Sequence, residues 1–300
     1  MKTLVAALIL ILPLGAQRVS VVSVMPASGS AMWGRLSADG SKLVYLEQSG
    51  LRVIDPKAQK TFTLGGTFQG ALLLQLAPDG RAAYVMAREA GSPQNIFRVS
   101  IPDGQTKKIL SDVSRFSVSL DGQRVLFGRS RGSCMIADSE GQQEQTLLAP
   151  GPFYSFCGWE PSGLVHLYTW SDQQKRRDWT IDPRTLERRE GVPPDSAARS
   201  QHPPFGIENT GYAHGNPRTD GTWEISWGRI CRFSAAGKVL ERLTPEKERY
   251  VKVLPPLPDG TLLALRLRPP EFWDGLSDWL FQYETVTSKQ FELVTLKLAP

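Results

Sequence analysis

Histidine and cysteine are scarce in this chain, and their scarcity removes several chemistries at once. The three histidines, His166, His202 and His214, lie far apart in separate segments, whereas metal-assisted hydrolysis needs clustered His, Asp or Glu ligands. The three cysteines, Cys134, Cys157 and Cys231, are odd in number, sit inside apolar strand patterns and have no histidine neighbours. Buried free thiols are therefore expected, with no disulfide and no metal. A charge surplus of one sign is also missing. The 35 basic and 30 acidic residues leave a formal charge of +5, short of a nucleic-acid-binding signature. No apolar 3.6-residue period runs on for long after the leading segment, so helix is expected to be rare.

The leading segment is the one long apolar run. Lys2 is followed by the uncharged stretch from Thr3 to Leu14 and then by Gly15-Ala16 before Gln17. A positive start, a short apolar core and a small-residue end describe a secretory signal peptide over residues 1–16, cleaved after Ala16. The run is shorter than the ~20 residues that span a bilayer, so no membrane span is expected after cleavage. No cysteine follows the run to take a lipid anchor. The expected location is periplasmic or secreted, as a monomer.

What the chain does have is a repeat. Six polar turns precede runs of alternating apolar residues: Ser37-Ala38-Asp39-Gly40, Ala77-Pro78-Asp79-Gly80, Ser119-Leu120-Asp121-Gly122, Glu160-Pro161-Ser162-Gly163, Glu208-Asn209-Thr210-Gly211 and Leu257-Pro258-Asp259-Gly260. Their glycines are 40, 42, 41, 48 and 49 residues apart, a period expected when one four-stranded antiparallel blade is copied around a ring. The predicted fold is all-β, a six-bladed β-propeller in one domain over residues 17–300. Its blades cover about 31–66, 67–111, 112–150, 151–192, 203–245 and 246–300, with 18–25 as a ring-closing strand. Blade three shows the pattern best, with strands Arg115–Val118, Arg124–Phe127, Cys134–Asp138 and Gln145–Leu148 joined at Asp121-Gly122 and Glu140-Gly141.

The Ser-x-Asp-Gly turn, the apolar strand, the small polar loop and the Ile-Phe-x-Val strand together resemble the repeats of TolB-like, or WD-like, β-propellers. The closest match is Ala77-Pro78-Asp79-Gly80 with Asn95-Ile96-Phe97-Arg98-Val99; the next is Ser119-Leu120-Asp121-Gly122. The resemblance covers residues 31 to 150 best, and it implies a fold more than an activity. TolB itself carries a sizeable α/β domain before the propeller, and prolyl-oligopeptidase-type enzymes add a hydrolase domain. Neither is expected here.

Candidate chemistry is sparse. Gly128-Arg129-Ser130-Arg131-Gly132 matches the G-x-S-x-G nucleophile elbow, but a strand pattern follows it where a helix is needed. Ser130 is therefore read as part of a hairpin loop. Asp39, Asp79, Asp121 and Asp259 precede glycines, where Asp is favoured for backbone reasons alone. The predicted inner strands, Met32–Leu36, Ala71–Leu76, Phe116–Ser119, Ser155–Trp159, Phe205–Ile207 and Val251–Leu254, contain no Asp, Glu or His, which disfavours a channel-centred hydrolase. Strand-end residues such as Glu160 and Glu208 are the acids that could contribute.

Aromatic and basic residues gather instead in the loops between second and third strands of blades four to six. Trp170, Arg176, Arg218, Trp223, Trp227 and Trp273 are the candidate binding residues, as expected of a recognition rim; the alternative is that the tryptophans fold back to cover irregular blades. The expected function is an exported, non-catalytic module without cofactor that binds a protein, a peptide or a glycan. The alternative is a small-molecule hydrolase or lyase of lactonase-like type, with a metal at the channel mouth.

Overall fold

The computed structural model describes residues 19–47, 49–66, 68, 70–88, 93–129, 132–151, 154–170, 176–193, 203–215, 223–268, 285–286 and 290–298. Strand β1 (Val19–Ala27) and a 3-10 turn (Gly29–Trp33) lead into four antiparallel sheets of four strands. The first holds β2 (Arg35–Leu36), β3 (Leu43–Glu47), β4 (Gly50–Asp55) and β5 (Lys60–Leu64). The second holds β6 (Leu73–Leu76), β7 (Ala82–Arg88), β8 (Gln94–Ser100) and β9 (Thr106–Leu110); the third holds β10 (Arg115–Val118), β11 (Arg124–Gly128), β12 (Cys134–Asp138) and β13 (Gln145–Leu148). The fourth holds β14 (Tyr154–Trp159), β15 (Val165–Trp170), β16 (Arg176–Ile181) and β17 (Arg188–Glu190). Their first strands pack on one another in order, β2 on β6, β6 on β10 and β10 on β14, so they ring a common axis. This is the β-propeller arrangement.

The remaining strands form one eight-stranded sheet: β18 (Phe205–Gly215), β19 (Trp223–Phe233), β20 (Val239–Arg242), β21 (Tyr250–Val253), β22 (Thr261–Leu267), β23 (Thr285–Val286), β24 (Phe291–Leu298) and β1. A single pair, Gly228 opposite Tyr250, joins its two halves. β24 lies between β22 and β1, whose residues Val19–Ala27 run antiparallel to Phe291–Leu298.

Blade-to-blade packing explains the alternation in the sequence. Val44, Leu51 and Val53 meet Leu74, Ala83 and Val85 in one core cluster, and Tyr84 and Met86 meet Phe116 and Phe127 in the next. Leu43, Tyr45 and Ile54 meet Leu263, Leu265, Leu293 and Met25, so the first sheet packs against the last strands and the ring is sealed by apolar contact. Each such side chain, once buried, contributes ~1.5–3 kcal/mol.

The Asp-Gly turns are made by their side chains. Asp39 Oδ1 accepts bonds from Ser37 Oγ at 2.7 Å and Ser41 N at 2.9 Å, and Asp121 repeats this with Ser119 and Gln123. The Ser37 bond, ahead of that from Ser41, holds the Asp39 carboxyl at about 2. Gly40, Gly80, Gly122, Gly163 and Gly260 all have φ between 66° and 81°. Gly211 does not, and the predicted turn at Glu208–Gly211 is instead a bulged stretch inside the continuous strand β18. Glycine is needed there because a Cβ would stand 2.3 Å from the ring of Trp227.

The thiol expectation is corrected. Cys134 and Cys157 form a disulfide with Cα atoms 6.4 Å apart, because β12 of the third sheet packs against β14 of the fourth. Sequence separation hid this neighbour relation. Cys231 remains a buried free thiol, pushed up to about 11 by burial first and by Glu208 second.

Candidate functional site

Strand alternation divides the fourth blade into two faces. Val165 and Leu167 point into the core shared with the third blade, which puts His166, Tyr168 and Trp170 on the other side. His166 is buried there between two carboxylates: its Nε2 lies 2.8 Å from Asp178 Oδ1 and its Nδ1 lies 3.2 Å from Glu160 Oε1. Glu160, at the turn position that Ser37 and Ser119 hold in the first and third blades, is fully buried. Asp178 retains 14% side-chain exposure. Its carboxyl is held below the usual range first by Arg176, whose Nε and Nη2 donate at 2.9 and 2.6 Å, and then by His166. The contact with Asp178 has hydrogen-bond geometry, and that with Glu160 is an ion-pair distance.

An aromatic platform covers this cluster. The Tyr168 ring stacks on Phe156 at 5.2 Å between centroids, and the Arg176 guanidinium lies 4.4 Å over Tyr168. Phe156 is 40% exposed and Trp170 44%. Phe156 also lines a cleft of about 310 Å³ between β10 and β14, with Arg115, Ser117, Gly158 and Trp159.

The first strands supply cations. Arg115 on β10 donates from Nη2 to Ser133 O at 2.8 Å and to Ser155 Oγ at 2.9 Å. Lys252 on β21 donates to Met32 O at 2.5 Å, and Arg35 on β2 reaches Gly34 O at 3.4 Å. Burial lowers the pKa of both Arg115 and Lys252, and for Lys252 the nearby Arg35 adds to the effect. Among the described residues, none of these three meets a carboxylate.

The binding residues expected from sequence fall in different places. Trp170 and Arg176 face each other across the β15–β16 register. Trp223 opens β19. Trp227 packs on the cluster around Tyr45 and Leu265, with Arg249 5.1 Å above its ring. Arg218 and Trp273 lie outside the described residues, as does Ser130. Glu208 lies on the sheet surface in ion pairs with Arg242 and Arg229, at 2.8 and 3.2 Å. The Glu160–His166–Asp178 cluster was not read from sequence as a unit. Its one local signal is the Glu at the first turn position, where the first and third blades carry Ser37 and Ser119.

No family model matches the chain, and no curated protein is similar to it in sequence. Among solved structures, an oligogalacturonate lyase in complex with manganese matches at a TM-score of 0.46 and 13% identity, covering 88% of this chain and 76% of that one. An oligogalacturonate lyase from Vibrio parahaemolyticus matches at 0.43 and 12%, covering 87% and 76%. A dipeptidyl peptidase 4 from Porphyromonas gingivalis matches at 0.41 and 12%, covering 78% and 42%. This likeness is one of fold. The expectation of a non-catalytic binding module is corrected: the solved propellers named above are two lyases and a peptidase, and blade four buries His166 between two carboxylates.

Proposed function

We propose that this chain is an exported propeller enzyme, a hydrolase or lyase acting on a small molecule at the mouth of the channel beside blade four. The observation that carries this reading is His166 held with a carboxylate at each ring nitrogen. A positioned imidazole is the commonest group for moving protons at a reacting centre. In this reading the substrate rests on the Phe156–Tyr168 platform, Arg176 and Asp178 are the polar groups it meets, and His166 stores the proton behind Asp178. A proton accepted at Asp178 passes to the unprotonated Nε2 of His166, so the ring holds it beside the carboxylate of Glu160 and the net charge of the cluster rises by one.

Among the described residues, no three His, Cys, Asp or Glu side chains converge to hold a cation, and both ring nitrogens of His166 already face carboxylates, so no step is routed through a metal. Export is supported by Lys2, the apolar run to Leu14 and Gly15-Ala16. Kinship with TolB-like repeats is supported by the Ser-x-Asp-Gly turns of the first and third blades.

The test is turnover by the exported protein on a panel of lactones, esters and acidic and neutral oligosaccharides. We expect turnover of at least one class, lowered at least ~100-fold in His166→Asn, as for the loss of a general acid–base group. No turnover on the whole panel, or equal turnover by the variant, overturns the reading.

A further inference from the structure

We infer that the gap between the third and fourth blades, at the end of the ring where the Asp-Gly turns lie, binds a small zwitterion: a free amino acid or a short peptide, with an ammonium and a carboxylate on one skeleton. Around the ring these turns interlock. A Cβ on Gly40 would strike the side chain of Leu257, one on Gly80 would stand 2.9 Å from Ser37 Cβ, and one on Gly122 would stand 3.0 Å from Pro78 Cδ. The glycine of each turn thus rests on the turn of the neighbouring blade. Gly260 is open because the fifth blade has a continuous strand in place of a turn. Gly163 has the same positive φ, 81°, and the third blade does have its turn, yet nothing stands within 4 Å of the place a Cβ on Gly163 would take.

The space left there is a cavity of about 690 Å³, within the ~300–1,000 Å³ of small-molecule sites. The third blade lines it with Leu120, Asp121 and Arg124, and the fourth with Trp159, Asp182 and Arg184. Two side chains brace the gap: Arg124 Nη1 donates to Pro183 O across it, and Trp159 Nε1 donates to Ser117 O at 3.2 Å. Phe156, Tyr168, His166 and Asp178 do not line this cavity, and Trp170 lies at the far end of the hairpin that Gly163 closes. It is a second site, separate from the platform proposed for the enzyme's substrate.

The charges of the lining decide the class of ligand. Each blade brings one cation and one anion, Arg124 with Asp121 and Arg184 with Asp182. The aspartates spend Oδ1 on their own turns, Asp121 on Ser119 Oγ at 2.6 Å and Gln123 N at 3.0 Å, and Asp182 on Arg184 N at 2.7 Å. The Ser119 bond foremost holds the Asp121 carboxyl below the usual range, so it stays ionised. Among the described residues, both Oδ2 atoms and the guanidinium of Arg184 are without a hydrogen-bond or ion-pair partner, and the guanidinium of Arg124 has Pro183 O alone. A ligand of one charge would meet repulsion as well as attraction here, whereas a zwitterion sets its carboxylate on a guanidinium and its ammonium on a carboxylate. Leu120, 57% exposed, and Trp159 offer apolar surface to a side chain carried between those two ends.

The test is calorimetric titration of the full chain with two probes, free leucine and the dipeptide leucyl-leucine, and with N-acetyl-leucine amide, citrate and galactose as controls. We expect at least one zwitterion to bind and the controls not to. Binding of leucine assigns the site to free amino acids, and binding of the dipeptide alone assigns it to short peptides. Arg184 is exposed, so Arg184→Glu should keep the melting midpoint and weaken binding at least tenfold; Leu120→Ala should weaken it in the same direction, and Lys107→Met, outside the cavity, should leave it unchanged. If neither zwitterion binds, if a control binds as well as they do, or if Arg184→Glu and Lys107→Met behave alike, the inference fails. His166→Asn should bind the probe as the native protein does. Zwitterion binding without any turnover by the native protein would leave this site standing and remove the enzyme reading alone.

Discussion

His166 and Asp178 come within 2.8 Å of each other from neighbouring strands, although the register pairs His166 with Thr180 and Asp178 with Tyr168. The contact is therefore diagonal, between residues on one face of the blade. Arg176 closes on the same carboxylate from two positions earlier in β16. The geometry makes Asp178 the link between a buried imidazole and an exposed guanidinium.

Asp178→Asn should lower turnover at least tenfold and alter acid unfolding. The folded-state pKa of Asp178 is lowered, by Arg176 foremost, so its contribution is present above the usual Asp range and is lost as pH falls through the lowered value. Denaturant midpoints measured from neutral to acid pH should therefore fall less steeply in the variant. Equal slopes would show that the pair adds nothing to folding.

Lys252→Met should stabilise the chain at neutral pH. The lysine's folded-state pKa is lowered, so between that value and the ordinary lysine value the unfolded chain binds more protons, and stability rises with pH. The variant should show a higher melting midpoint near neutrality and no such rise in the alkaline limb. A lower midpoint would contradict the account of Lys252 as a charge without a counter-ion.

Thiol titration of unfolded, unreduced protein should find one free group per chain, that of Cys231, and three after reduction. Replacing Cys134 and Cys157 together by Ser reopens a loop of 23 residues and should cost about 3 kcal/mol by loop entropy. Three thiols without reduction would remove the bridge.

The two measurable tryptophans should separate. Trp227→Ala removes a ring packed against core residues and over Gly211, and should cost about 3 kcal/mol of stability. Trp170→Ala, at an exposed strand end, should leave the melting midpoint nearly unchanged and lower substrate binding. The reverse pattern would place the recognition surface at Trp227.

Much of the architecture was legible from local chemistry. Asp39 and Asp121 close their turns through their own carboxylates, and such turns need only a few consecutive residues. Gly211 was misread because glycine serves equally for a positive φ and for close approach, and only the position of Trp227 tells which applies.

The sequence by itself determined the strand-rich repeat, its Asp-Gly turns and the apolar alternation of the inner face, because these follow from interactions within a few residues or along one strand. Tertiary structure alone decided which distant residues meet. Cys134 finds Cys157 through the packing of two blades, His166 finds Glu160 and Asp178 through register and a turn, and Lys252 reaches Met32 O where the last blade packs on the first. Periodicity fixes which face a side chain takes, but ring closure fixes what stands opposite it, and the chemistry of this protein depends on the second.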